Sequence, residues 1–373
     1  MVHLARSSHP DRPWFCVLCS VKLDQEGTGC GDLTKRRMAM STTIGINGFG
    51  RIGRAFVRAA LSRGSDLQVV AVNDLADRIT LAHLLKYDSV LGKLENEVKL
   101  TEEGFSIDGH DVAVSSETDP SALPWRELGV QVAIESTGHF RKRADIARHI
   151  DAGVAKVIVS APAKDEDITI VMGINDGDYD PSHHDIISNA SCTTNCVVPL
   201  AKVLHDRWGI ERAFMTTCHA YTNDQSTLDL PHKDLRRARA AAVNIIPTST
   251  GAAKATGLLM PELKGRIDGL ALRVPVADGS ITDLVCALGG NPTKDEVNDA
   301  YREATDKRMK GILEYTEDPI VSSDIVGNPH SCIVDGLSTM TNGNLVKVLG
   351  WYDNEWGYSH RLVDLAELVG GSL

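Results

Sequence analysis

The sequence predicts an α/β fold, with a doubly wound sheet running to about residue 190. Two observations carry this. Short apolar runs bounded by turn residues alternate with helical runs, the pattern of strand–helix–strand units. A glycine-rich turn of the form G-x-G-x-x-G lies between the first strand and the first helix.

Thr42-Thr43-Ile44-Gly45-Ile46 reads as a short buried strand. The turn follows as Gly48-Phe49-Gly50-Arg51-Ile52-Gly53. Arg54 to Leu61 reads as a helix, with Ala55, Phe56, Ala59 and Ala60 on one face and Gly64 at its end. Leu67 to Val72 is a second strand, closing at Asn73-Asp74. Val130–Glu135 and Val157–Ser160 read as further buried parallel strands around a helical Lys142–Ile150.

Composition sets the outer limits. The 373 residues allow two or three domains at roughly 150 residues each. Hydrophobic residues at 42% and charged residues at 24% exclude a disordered or fibrous chain. No apolar run reaches the roughly 18–20 residues of a spanning helix, so no membrane partner is expected. A net charge of −11 argues against obligatory nucleic-acid binding, which needs excess positive charge.

Residues 1–41 read differently and are taken as a disordered extension. They hold Cys16, Cys19 and Cys30 of the eight cysteines and show no sustained period. Trp14 to Val21 has the length of a signal-peptide core, but Asp11 interrupts the segment before it and no small-residue cleavage site follows. Cys16-x-x-Cys19 with Cys30 offers three metal ligands without a fourth, so no metal site is expected. Met38 and Met40 are natural alternative starts.

The glycine turn has the context that a dinucleotide site needs. Gly48 permits the tight turn, Gly50 lets the backbone approach a pyrophosphate, and Gly53 lets helix and strand pack closely. The helix N-terminus presents free N–H groups to phosphates. Asp74, 21 residues beyond Gly53, can accept both ribose hydroxyls and would repel a 2′-phosphate, which points to NAD. Arg78 is the contrary feature, read as solvated at the start of an Ile79–Leu85 helix.

Ser188 to Cys196 places Cys192 among small polar residues immediately before an apolar helical run. A helix N-terminus stabilises a thiolate, so a lowered thiol pKa is expected there. Cys196, one turn on, reads as packing. Thr216 to Thr222 reads as a strand leading into a polar loop, and His219, which closes it, is the candidate base for a thiol nucleophile. The Leu235-Arg236-Arg237-Ala238-Arg239 run and Leu272-Arg273 supply guanidinium forks suited to a small phosphorylated substrate.

With these segments in place, residues 42 to about 370 resemble the phosphorylating glyceraldehyde-3-phosphate dehydrogenases. The resemblance rests on Ile46-Asn47-Gly48-Phe49-Gly50-Arg51-Ile52-Gly53-Arg54, Ala190-Ser191-Cys192-Thr193-Thr194-Asn195-Cys196, Thr222-Asn223-Asp224, Leu230 to Arg237, and Trp351-Tyr352-Asp353-Asn354-Glu355. It implies a Rossmann NAD-binding domain at 42–190 and an α+β catalytic domain at 191–352. A C-terminal helix, 353–373, would pack back on the first domain.

By the same resemblance Cys192 is the nucleophile and His219 the base. Gly48, Gly50, Arg51, Ile52, Gly53, Asp74, Ser160 and Asn354 contact NAD. Thr222, Arg237 and Arg273 hold the C3 phosphate of a triose phosphate. Ser191, Thr193, Thr250 and Gly251 line an inorganic phosphate site. Relatives often carry a basic residue near the adenine where this chain has Thr118, so that contact has no assignment. Leu230 and Pro231 favour NAD over NADP. The implied enzyme is a cytoplasmic homotetramer that converts D-glyceraldehyde 3-phosphate, NAD+ and inorganic phosphate to 1,3-bisphosphoglycerate and NADH. The rival readings are an erythrose-4-phosphate dehydrogenase and a non-catalytic NAD-binding scaffold or adhesin.

Overall fold

The apolar strands expected from the sequence lie side by side with both faces covered. The computed structural model describes residues 41–373, and the expectations for the extension, its cysteines and its alternative starts lie outside the described residues. β1 (Thr43–Asn47) leads through the glycine turn into α1 (Arg51–Arg63) and β2 (Gln68–Asn73). After α2 (Arg78–Lys86) come a small hairpin, β3 (Tyr87–Asp88) and β4 (Gly92–Lys93), then β5 (Val98–Leu100), β6 (Gly104–Ile107) and β7 (His110–Ser115). β8 (Val132–Glu135), α3 (Arg143–Ile146), α4 (Arg148–Asp151), β9 (Lys156–Val159), β10 (Ile168–Thr169) and β11 (Ile186–Ser188) follow.

The nine-stranded sheet has the order β10-β11-β9-β8-β1-β2-β7-β6-β5. Only β6 runs antiparallel to its neighbours. Side-chain alternation sends Ile46, Val72, Ile134 and Ile158 to one face and Ala71, Ala133, Val157 and Val159 to the other. Burial on both faces is what continuous apolar strands require. β1 sits where the strand order reverses, between β8 and β2, so the loops after β1 and β8 flank a crevice.

The second sheet begins after α5 (Cys192–Trp208), with β12 (Ile210–Ala220) and β13 (Ile246–Ser249). α6 (Ala252–Leu259), β14 (Ile267–Val274), β15 (Ser280–Leu288), α7 (Lys294–Asp306) and β16 (Leu313–Thr316) follow. β17 (Cys332–Asp335), β18 (Met340–Asn342), β19 (Leu345–Tyr352) and α8 (Trp356–Gly370) complete the chain. Its strand order is β13-β14-β12-β15-β19-β17-β16, with β18 on β19, and it is mixed parallel and antiparallel. α5 lies against this sheet, where Cys196, Val197, Leu200, Ala201 and Leu204 are fully buried. α8 returns to the first sheet, placing Leu362, Val363, Leu365, Ala366 and Val369 in one core cluster with Ile44 and Phe56.

Two helices depart from the sequence expectation. α1 starts at Arg51, not Arg54, because Gly50 is already its cap; Gly53 therefore lies inside the first turn. The helix expected over 142–150 is split into α3 and α4 at Ala147. There the Ile150 N–H bonds the Ala147 carbonyl at 2.9 Å, a tighter i+3 pattern that interrupts the α-helical ladder.

The glycine turn is decided by sterics. Gly48 has φ +91°, and a Cβ there would stand 2.6 Å from the Thr137 nitrogen. A Cβ on Gly53 would stand 2.4 Å from the Gly48 carbonyl oxygen, whereas one on Gly50 would meet nothing within 4 Å. Gly53→Ala is therefore expected to cost about 1–3 kcal/mol of stability through overpacking. Gly50→Ala should leave the melting temperature unchanged and weaken only dinucleotide binding. Thermal unfolding of both variants, with and without NAD+, checks this; equal stability losses would contradict it.

Candidate active site

Ser191 caps α5: its Oγ accepts the Thr194 N–H at 3.1 Å, which sets Cys192 as the first helical residue. Cys192 Sγ lies 3.4 Å from His219 Nε2 at the end of β12. His219 Nδ1 is 2.7 Å from the Ala220 carbonyl, which accepts a hydrogen bond from the ring only if Nδ1 is protonated. That tautomer leaves the Nε2 lone pair facing the thiol. Tyr352, at the end of β19, packs edge-on against the imidazole at 5.9 Å. Its hydroxyl joins Thr193 Oγ1 at 2.9 Å and Thr217 Oγ1 at 2.7 Å.

The lowered thiol pKa expected from the helix start is overturned. Burial pushes the Cys192 thiol up to about 11, with Arg273 opposing the rise. Burial, with Arg273 adding to it, pushes His219 down to about 3. For each group taken alone, desolvation is the largest cause of the shift. The pair behaves differently: moving the proton from Sγ to Nε2 creates two opposite charges in contact, and their attraction opposes the desolvation cost.

Arg273 stands beside His219 in the β12–β14 register. Its Nη1 donates to the Ala220 carbonyl at 2.9 Å and to Thr222 Oγ1 at 3.4 Å, and lies 3.0 Å from His219 Nδ1. Within the basic run only Arg237 turns inward; Arg236 and Arg239 are exposed. Arg237 donates to Thr248 Oγ1 at 2.9 Å and pairs with Asp224. Thr250 and Gly251 stand at the head of α6. Ser191 and Thr193 flank Cys192, but the Thr193 hydroxyl is buried against Tyr352.

On the other side of the crevice, Gly48, Gly50, Ile52 and Gly53 form the turn. Asp74 Oδ2 accepts the Phe49 N–H at 2.8 Å, so the acid at the tip of β2 is tied to that turn. Ser160 follows β9, its N–H bonded to the Glu135 carbonyl at 2.9 Å. Asn354 is buried, and its Oδ1 accepts Ser280 Oγ at 2.7 Å. The Arg51 guanidinium is taken up by Glu355 and Asp88, which leaves its backbone N–H as the group free to meet a phosphate. Arg78 is exposed and donates to the Glu102 carbonyl.

The sequence matches the family described as glyceraldehyde 3-phosphate dehydrogenase, NAD binding domain, over residues 42–143. It matches the C-terminal domain of the same family over residues 191–354. The glyceraldehyde-3-phosphate dehydrogenase of Streptomyces coelicolor is 62% identical over 336 residues, which cover 90% of this chain and 100% of that protein. That of Geobacillus stearothermophilus is 58% identical over 331 residues, 88% of this chain and 98% of that protein. The chain belongs to the glyceraldehyde-3-phosphate dehydrogenase family.

It is accordingly an NAD-dependent, phosphorylating oxidoreductase of glycolysis, acting on glyceraldehyde 3-phosphate. The erythrose-4-phosphate and scaffold readings are not favoured. The residues fit the cofactor: the open space over Gly50 leaves room for a pyrophosphate, and Asp74 faces the turn that would cradle it. Among the described residues, no helix is long and apolar enough to cross a membrane.

Sequence reasoning missed several groups around the site. Tyr352 lies in a segment it singled out, but only the fold brings the hydroxyl between two threonines. Glu135 Oε2 accepts Asn47 Nδ2 at 2.7 Å and meets His149 Nε2 at 3.0 Å, a buried network beneath the glycine turn. Asp278 is buried beside Asp353, two residues from Ser280. Burial and the Asp353 charge push its carboxyl up to about 9, so the pair holds one proton at neutral pH.

An unfolded aspartate ionises near pH 3.9. From there to about pH 9 the unfolded chain has released this proton and the folded chain keeps it, so stability falls as pH rises. Asp278→Asn, an uncharged donor to Asp353, should flatten the Tm profile between about pH 6 and 9. It should raise Tm at pH 8 by roughly 2–4 °C. A variant whose Tm falls in parallel with the wild type would refute the shared proton.

Proposed function

We propose that Cys192 is the nucleophile and His219 its base, and the observation that carries this is the 3.4 Å contact between Sγ and Nε2. The thiolate adds to the aldehyde carbon and forms a hemithioacetal. His219 Nε2 takes the hydroxyl proton as the carbon is oxidised. NAD+, when bound, supplies the hydride acceptor. The resulting thioester on Cys192 is attacked by inorganic phosphate, which expels the thiolate and leaves 1,3-bisphosphoglycerate. Backbone N–H groups at the start of α5 and the imidazolium steady the oxyanion.

Arg273, Arg237 and Thr222 hold the C3 phosphate in this reading, and Ser191, Thr193, Thr250 and Gly251 receive inorganic phosphate. Arg273 has a second effect. Its charge stands 3.0 Å from His219 Nδ1 and opposes protonation of the ring. A substrate phosphate on Arg273 offsets that charge and makes His219 a stronger base. Gly48, Gly50, Arg51, Ile52, Gly53, Asp74, Ser160 and Asn354 bind NAD, with Asp74 on the adenosine ribose and Asn354 on the carboxamide.

Residues 42–190 with the C-terminal helix form the cofactor domain in this reading, and 191–352 the catalytic domain. The enzyme acts as a homotetramer in the cytoplasm. An exposed apolar stripe on the outer face of the second sheet, including Phe214 and Leu270, supports assembly. The five cysteines among the described residues, the nucleophile included, are free thiols and suit a reducing compartment. Light scattering on the purified chain tests the tetramer.

Cys192→Ser should bind NAD+ normally and lose nearly all dehydrogenase activity. His219→Asn should lower kcat by roughly 10²–10⁴-fold. It should also move alkylation of Cys192 by iodoacetamide to alkaline pH, since the thiol must then ionise alone, near its raised pKa of about 11. Normal turnover in either variant would remove the residue from the mechanism.

Arg273→Lys should raise KM for the triose phosphate far more than for unphosphorylated glyceraldehyde, because lysine loses the planar fork. Equal effects on both substrates in steady-state kinetics would refute the phosphate role.

A further inference from the structure

Ala190, two residues before Cys192, has φ +55°. The only other non-glycine residues with positive φ among the described residues are Asp108 and Asp165. An aspartate can support that conformation with its own side chain; an alanine cannot, so surrounding groups must hold it. Three consecutive carbonyls across this turn are held by side chains. Asn195 Nδ2 donates to the Asn189 carbonyl at 2.9 Å and to the Ser191 carbonyl at 3.0 Å, spanning Ala190 from both sides. The Tyr358 hydroxyl donates to the Ala190 carbonyl at 3.2 Å. Asn189, Ala190, Asn195 and Tyr358 are all buried. Asn195 reaches back from α5 itself, whereas Tyr358 comes from α8, the helix packed on the first sheet.

We infer that Asn195 and Tyr358 are positioning residues for the nucleophile. They clamp residues 189–191 in a left-handed turn that the sequence alone does not favour. The clamp fixes the direction in which α5 starts and so keeps Cys192 Sγ against His219. Without it Ala190 relaxes toward negative φ, Ser191 leaves its capping position, and the sulfur moves off the imidazole. The inference rests on Cys192 being the nucleophile.

The test uses the full-length enzyme. Asn195→Ala should slow both kcat and the alkylation of Cys192 by iodoacetamide at pH 7 by roughly 10- to 100-fold, the cost of an ångström-scale misplacement. KM for NAD+ should change less than about twofold, since the glycine turn is untouched. Tyr358→Phe should act in the same direction and more weakly, and it serves if Asn195→Ala does not fold. Adding Ala190→Gly to Asn195→Ala should restore activity several-fold, because glycine adopts positive φ unaided. A merely structural role for Asn195 predicts no such rescue. Wild-type kcat and alkylation in both single variants, or a further loss on adding Ala190→Gly, would overturn the clamp. If iodoacetamide fails to inactivate the wild type, or Cys192→Ser stays active, it is the nucleophile assignment that fails.

Discussion

The contact between Cys192 and His219 depends on one geometric constraint: α5 must begin where β12 ends. The two elements are joined by Gly209, and the antiparallel return of an eleven-residue strand along a seventeen-residue helix brings their far ends together. At about 1.5 Å per residue the helix spans about 25 Å and at about 3.3 Å per residue the strand about 36 Å, so the strand is long enough to return the full length of the helix. Apolar packing of Val197, Leu200, Ala201 and Leu204 on the second sheet holds that alignment. The reacting pair is thus positioned by a core some distance from it.

Burial at this junction has an electrostatic consequence. Cys192 and His219 are each driven toward the neutral form, and Arg273 presses on both in ways that favour thiolate and disfavour imidazolium. Charge can therefore appear at the pair only together, by transfer of one proton, or when an anion reaches Arg273. The same low-dielectric surroundings keep a proton on the Asp278–Asp353 pair beside the Ser280–Asn354 hydrogen bond.

The cofactor side is governed by steric exclusion. Gly48, Gly53 and the Ser136–Thr137 backbone fit together at distances that leave no room for a Cβ. Asp74 ties the turn to the tip of β2, and the Glu135 network ties β1 to β8 from below.

The parallel strands, the glycine turn, Asp74 and the start of α5 are legible before folding, because each is written in local spacing: a period of two or 3.6, a glycine at a fixed offset, a small polar residue before an apolar run. The sequence also carried the family, through motifs that name Cys192 and His219 as candidates. The tertiary structure alone decided what those groups meet. Tyr358, Tyr352 and Asp278 leave no local signal, since their partners lie on other elements, as Tyr358 does from Ala190; Asn195 has its partners within six residues, but only the folded turn aims its amide at them. The thiol pKa was misread for the same reason: a helix start is visible in sequence, but burial is not. Desolvation depends on every chain segment packed around the group, and only the folded chain brings those segments together.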